Sequence, residues 1–202
     1  MAEIQMTDQK TKYGKYLAEI GWGPESRNLT REEVVEKRIT PPIIGDGFNL
    51  PTATHHIESW IIPEPKAFSA MSPKGGIHKH LDCRPPGMFA DDDETSMLDN
   101  SPHYHTYDEV YLFTGTNPYD NLDLGGEVEL WLGLGDQAEK FTFTKPTMVH
   151  IPAGLVHGPL VFRKVNDSAR PISWVVFYDS PVLSNVHVRM LPPGFKQLGE
   201  EE

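Results

Sequence analysis

The chain has 202 residues, 38% of them hydrophobic and 23% charged, a balance that can bury a core and excludes a wholly disordered polymer. Its 18 basic and 29 acidic residues leave a formal charge of −11, which repels nucleic-acid phosphates and anionic membrane surfaces. A single cysteine, Cys83, excludes an internal disulfide framework and any cysteine-rich zinc or iron–sulfur site, so histidine must supply whatever metal chemistry exists.

The first twenty residues hold no apolar core of signal-peptide length, and the strongly apolar run 174–178 is too short to span a bilayer. The expectation is a soluble, cytoplasmic protein with neither a membrane nor a nucleic-acid partner. Two short helices are predicted near the start. In 12–20, Tyr13, Tyr16, Leu17 and Ile20 fall at helical spacing before Gly21. In 31–39, Thr30 can cap the first turn while Glu33 reaches back, and Pro41 and Pro42 end the helix. Residues 1–56 therefore read as an N-terminal arm, 57–192 as the main domain and 193–202 as a flexible tail.

Eighteen prolines and seventeen glycines cut the remainder into short pieces. Apolar or alternating runs at 57–62, 109–113, 127–133, 139–144, 147–151, 159–165, 172–178 and 185–191 predict about eight strands. In the run 127–132, Val128, Leu130 and Leu132 share one face and Glu127, Glu129 and Trp131 the other, as in a half-buried strand. The run 172–178 is apolar on both faces. The pattern predicts an all-β domain, either a closed β-barrel or a two-sheet jelly roll, with Trp131, Phe141, Phe143, Trp174 and Phe177 in its core. The acidic stretch 90–100 lacks the ligand spacing of an EF-hand and reads as a solvated loop.

Nine histidines are present, and two pairs have the form His-x-His: His78 with His80, and His103 with His105. On a strand, residues i and i+2 project to one face with Cα atoms roughly 6.6 Å apart, so two imidazoles can converge on one ion. Glu109 follows four residues after His105, which in an extended chain would be roughly 13 Å away. Thr106, Tyr107 and Asp108 must therefore turn, leaving His103 and His105 at the end of one strand and Glu109 at the start of the next. About forty residues on, Pro152 and Gly154 permit a tight turn that leads into His157.

The pattern His103-x-His105-x-x-x-Glu109 with Gly115, together with Pro152-x-Gly154-x-x-His157, closely resembles the two signature motifs of the cupin superfamily. The resemblance covers about 102–178, although no Asn follows His157 at the usual distance. It implies a small cupin-type β-barrel or double-stranded β-helix in which His103, His105, Glu109 and His157 hold one divalent transition metal. It also implies a homodimer, since cupin relatives commonly pair through barrel strands.

Three nitrogens and one oxygen saturate a tetrahedral zinc, whereas a six-coordinate ion retains two positions for water, oxygen or substrate. Fe(II) is ranked first, then Mn(II), with Ni(II), Co(II) and Zn(II) after them. Two open positions suit a dioxygenase acting on a small organic molecule. The alternatives are a redox-neutral lyase or isomerase, with the ion acting as a Lewis acid, and a cupin that binds a small molecule without turning it over. The absence of a helix-turn-helix pattern weakens a role in transcription. Tyr104, Tyr107 and Tyr111 crowd the first motif and are candidate proton-transfer groups. Lys79 and Arg84, beside His78 and His80, could offer charge to an anionic substrate. His150 reads as a neighbour of the ligands, a lining residue or a satisfied core histidine, outside the ligand set.

Overall fold

A computed structural model of the chain describes residues 21–22, 30–36, 40, 42–68, 102–188, 190–196 and 198. The expected helix at 12–20, His78, Lys79, His80, Arg84, Cys83, the acidic stretch 90–100 and the last turn of the second helix lie outside the described residues. In chain order the elements are β1 (Gly21–Trp22), α1 (Arg31–Glu36), β2 (Ile43–Gly45), β3 (His56–Ile62), β4 (Lys66–Phe68), β5 (His103–Tyr104), β6 (Glu109–Gly115), β7 (Gly126–Leu132), β8 (Glu139–Phe143), β9 (Thr147–Ile151), β10 (His157–Val165), β11 (Ile172–Tyr178) and β12 (Val186–His187). A single 3-10 turn, Gly135–Gln137, separates β7 from β8.

The helix begins as its sequence dictates. Glu33 donates its amide to Thr30 Oγ1 at 3.1 Å, and Thr30 donates its own to Glu33 Oε2 at 2.8 Å, so two otherwise orphaned donors are satisfied reciprocally.

The strands form two antiparallel sheets. One has the order β1-β2-β3-β11-β6-β9; the other runs β12-β5-β10-β7-β8, with β4 also paired to β10. Of the two architectures the sequence allowed, the strands take the two-sheet form: among the described residues no strand pair joins the sheets into a closed barrel. The chain passes from β8, at an edge of one sheet, to β9, at an edge of the other, through a short turn, and the sheets meet through side chains instead. The arm expected over 1–56 is also more than helix, because β2 pairs with β3 from Ile43↔Ser59 to Gly45↔Ile57 and extends the first sheet.

Period-two alternation decides what each sheet buries. Along β3, His56, Glu58, Trp60 and Ile62 face inward and are buried, while Ile57 and Ile61 are exposed. The same parity on β11 buries Trp174, Val176 and Tyr178 and leaves Phe177 outside. The core is aromatic: Trp60 stacks on Trp174 at 5.8 Å, Trp174 stacks on Phe113 at 6.1 Å, and Phe162 of the second sheet reaches both Phe113 and Trp174.

Three readings of the core are corrected. Phe177 is exposed because its strand parity turns it away from the facing sheet, whereas Phe141 shares the inward face of Phe143 and is exposed on the edge strand β8. Strand β7 is not half-buried. Glu129 and Trp131 on its second face are both buried, because the chain beyond β12 returns there: Phe195 lies edge-on to Trp131, and Arg163 bonds the Lys196 carbonyl oxygen as well as Glu129.

Gly115, the glycine of the first motif, is required by close approach. A Cβ at this position would lie 1.9 Å from the Asp123 carbonyl oxygen, so a larger residue would displace backbone.

Candidate metal centre

Strand order brings the two motifs together at one end of the space between the sheets. His157 opens β10 and pairs directly with His103 on β5, so the two rings stand side by side with centroids 4.2 Å apart. His105 lies in the turn after β5, with its ring 5.1 Å from both. A ligand nitrogen from each of the three histidines can be chosen so that all lie within 4.8 Å of one another. Glu109 enters from the opposite sheet as the first residue of β6. Its Oε2 lies 3.0 Å from His157 Nε2 and 3.3 Å from His105 Nε2.

The turn that this convergence needs is stapled by hydrogen bonds. Gly154, at φ +82°, donates its amide to the His105 carbonyl oxygen at 2.8 Å, tying the second motif's turn to the first motif. Asp108 takes the Ala153 amide at 2.9 Å and the His150 ring at 3.0 Å. These bonds hold the Asp108 carboxyl below its usual value, the Ala153 amide contributing most. His150 is thus an exposed partner of Asp108 on the outside of β9 and does not line the interior.

The charge logic of the cluster follows from what each ring does with its other nitrogen. His105 Nδ1 lies 2.7 Å from the Ser184 carbonyl oxygen and His157 Nδ1 lies 3.1 Å from that of Leu155. A carbonyl oxygen only accepts, so Nδ1 is the protonated nitrogen and Nε2 of each neutral ring turns a lone pair inward. The atoms they face belong to Glu109, whose ionised carboxylate is also acceptor-only. Among the described residues, both Glu109 oxygens and both Nε2 atoms are buried without a well-formed hydrogen bond. Lone pairs aimed at lone pairs in a dry pocket are stabilised by a cation at their meeting point.

Burial alone would raise the Glu109 carboxyl. When His157 and His105 carry protons on Nε2, the charge of His157 and the bonds from both rings outweigh it and bring the group down to about 2; a cation takes that place when both rings are neutral.

The three tyrosines of the first motif have different surroundings. Tyr107 stacks on His105 at 5.2 Å, donates its hydroxyl to the Ser184 carbonyl oxygen at 3.1 Å and accepts the Ser184 amide at 2.7 Å. It fixes the loop that orients His105. Tyr111 is buried behind Glu109 and edge-on to His157 at 6.1 Å; burial and then the Glu109 charge push its hydroxyl well above the usual range, so it stays a neutral donor. Tyr104 follows His103 on β5, and alternation turns it to the other face.

Sequence reasoning passed over Ser184, whose backbone carbonyl leaves no trace in residue type, and Tyr178, which touches His105 at 5.3 Å and Tyr107 at 6.1 Å. It also assigned nothing to His56 and Glu58, although their i, i+2 spacing on a strand was a readable signal.

No family model matches the chain, and neither does any curated protein. Among solved structures it is similar to an oxalate oxidase in complex with the substrate analogue glycolate, at 12% identity and a TM-score of 0.44, covering 92% of this chain and 68% of that one. It is also similar to an oxalate decarboxylase from Bacillus subtilis, at 10% identity and a TM-score of 0.39, over 72% of this chain. A third is a putative sugar phosphate isomerase from Acidithiobacillus ferrooxidans, at 12% identity and a TM-score of 0.31, covering 74% of this chain and 73% of that one. This chain spans only 26% of the oxalate decarboxylase. None of these likenesses bears on substrate or reaction. What the structure adds is that the two antiparallel sheets bring the paired motifs together into a group of three histidines, the arrangement expected from their resemblance to the cupin superfamily.

Proposed function

We propose that this chain is a mononuclear metal-dependent enzyme acting on a small organic molecule, with His103, His105, Glu109 and His157 as the ligands. One observation supports this above the rest: the inward Nε2 lone pairs of His105 and His157 meet the ionised Glu109 carboxylate in a buried site, with His103 beside them. Three imidazoles and one carboxylate suit a divalent first-row ion, with Fe(II) ranked first and Mn(II) second.

Such an ion, when six-coordinate, supplies two further positions and a route for electrons between substrate and oxygen, the basis for ranking a dioxygenase above a redox-neutral lyase or isomerase. The chain's own residues provide the setting. Ser184 and Leu155 fix the tautomers of His105 and His157, Tyr107 holds Ser184 in place, and Tyr111 and Tyr178 offer neutral hydroxyls on the buried side. A homodimer is part of the proposal, on the resemblance alone.

Elemental analysis of protein isolated without added metal tests the reading. The expected result is about one equivalent of a first-row metal per chain. Protein that contains none, and takes up none on reconstitution, overturns it. Substrate-dependent oxygen uptake by the iron-loaded form selects the dioxygenase, and turnover that persists without oxygen selects the redox-neutral reaction.

A further inference from the structure

A second polar centre lies on the same inner wall, outside the proposed ligand set. His56 Nε2 is 3.0 Å from Glu58 Oε1, and Trp60 donates its indole N–H to Glu58 Oε2 at 2.9 Å. His56 is fully buried and Glu58 is 1% exposed. Trp60 already donates to Glu58, and with that carboxylate ionised, hence acceptor-only, the His56 proton sits on Nε2 and the lone pair on Nδ1. That Nδ1 is buried and makes no hydrogen bond among the described residues. A buried acceptor left so costs about 1–3 kcal/mol, which a strand of apolar residues would have avoided. A histidine oriented through one nitrogen by a buried carboxylate, with its other nitrogen open, is arranged to receive a proton donor.

Register sets where this centre lies relative to the metal end. His56 pairs with Tyr178, and Tyr178 with Glu109, in one row across β3, β11 and β6. Two strand spacings separate the Cα atoms of His56 and Glu109 by roughly 10 Å. The Tyr178 ring lies between the two centres, 5.2 Å from His56 and 5.3 Å from His105, both edge-on. Burial, followed by the charges of Glu58 and Glu109, pushes the Tyr178 hydroxyl well above its usual range, so this bridge remains neutral.

We propose that His56, held by Glu58, is a second anchor for the substrate: the molecule bound through an oxygen at the metal end carries an O–H or N–H group that donates to His56 Nδ1. The substrate class is then a small molecule with a metal-binding oxygen at one end and a hydrogen-bond donor several bonds away. This deepens the proposed function and rests on it.

The test uses cobalt-loaded full-length protein, whose visible spectrum reports anions at the metal, titrated with benzoate, 3-hydroxybenzoate and 4-hydroxybenzoate. Wild type is expected to bind at least one hydroxybenzoate about tenfold more tightly than benzoate, the worth of one buried hydrogen bond. His56→Phe is expected to abolish that preference while keeping its cobalt and its benzoate affinity. His56→Gln, which retains an acceptor and guards against a folding defect in the Phe variant, should keep part of the preference. No preference in wild type, or the same preference in His56→Phe, overturns the second anchor alone. A wild type that takes up no cobalt overturns the metal reading, and the two-point substrate with it.

Discussion

Gly154 donates its backbone amide to the carbonyl oxygen of His105 at 2.8 Å, so the turn of one motif is bonded to the ligand-bearing segment of the other. The two motifs are about fifty residues apart in sequence, yet neither can move without disturbing the other. This bond depends on the left-handed conformation of Gly154, at φ +82°, where the turn has open space around the missing Cβ. Gly154→Ala therefore meets no clash and is strained only through its backbone, at about 1–2 kcal/mol. Thermal unfolding is expected to show that small loss, together with weaker metal retention during dialysis against a chelator.

His105→Ala and His157→Ala should each lose most of the bound metal, while His187→Ala stays near wild type. Elemental analysis of the three purified variants decides this; equal metal in all three refutes the ligand assignment. Each of the first two changes also removes a donor atom from beside Glu109, so a cation at the site is left with fewer ligands.

Tyr107→Phe deletes the hydroxyl that both accepts the Ser184 amide and donates to the Ser184 carbonyl oxygen. The Ser184 amide is left without that acceptor and the loop that orients His105 loosens. The expected outcome is a loss of about 1–2 kcal/mol in stability and a drop of about tenfold in metal affinity, in line with other residues that support a ligand. Chemical denaturation and competition with a chromophoric chelator measure the two separately.

The Glu129–Arg163 pair gives the chain a pH dependence distant from the metal site. Burial alone would raise the Glu129 carboxyl, but the hydrogen bonds from Arg163 and Trp131 bring it below its ordinary value of 4.5. Because the folded-state value is the lower one, the stabilisation is complete above pH 4.5 and is lost as the pH falls through the lowered value. Glu129→Gln is expected to be less stable than wild type by about 1–3 kcal/mol at pH 7. That gap should narrow once the pH drops below the ordinary carboxylate value, as followed by thermal unfolding from pH 7 to pH 3.

Much of this chain was legible from local pattern. Strands at 147–151 and 172–178 have the bounds their composition implied, and the capping box of Thr30 and Glu33 formed as its spacing required. Such features depend on neighbours within a few residues, where alternation and propensity act directly. Three of the four candidate ligands, His103, His105 and Glu109, lie within seven residues as a His-x-His pair, a turn and a following Glu, and the fourth, His157, follows the turn of Pro152 and Gly154.

Other features depended on which strand lies beside which. Phe141 and Phe177 share the composition of core residues, and only the assembled sheets put them outside, Phe177 by the face it takes and Phe141 by its place on the edge strand β8. Ser184 stands 79 residues from His105, and its carbonyl oxygen, which every residue type possesses, sets the ring's tautomer. The row His56, Tyr178 and Glu109 exists because β11 pairs with β3 on one side and β6 on the other. Sequence determined the strands, their parity and the chemical types able to hold a cation, since these follow from short-range geometry. Tertiary structure alone decided the orientation of the imidazoles, the cover over Glu129 and the second polar centre, since each is set by contacts between segments that meet only once the sheets have assembled.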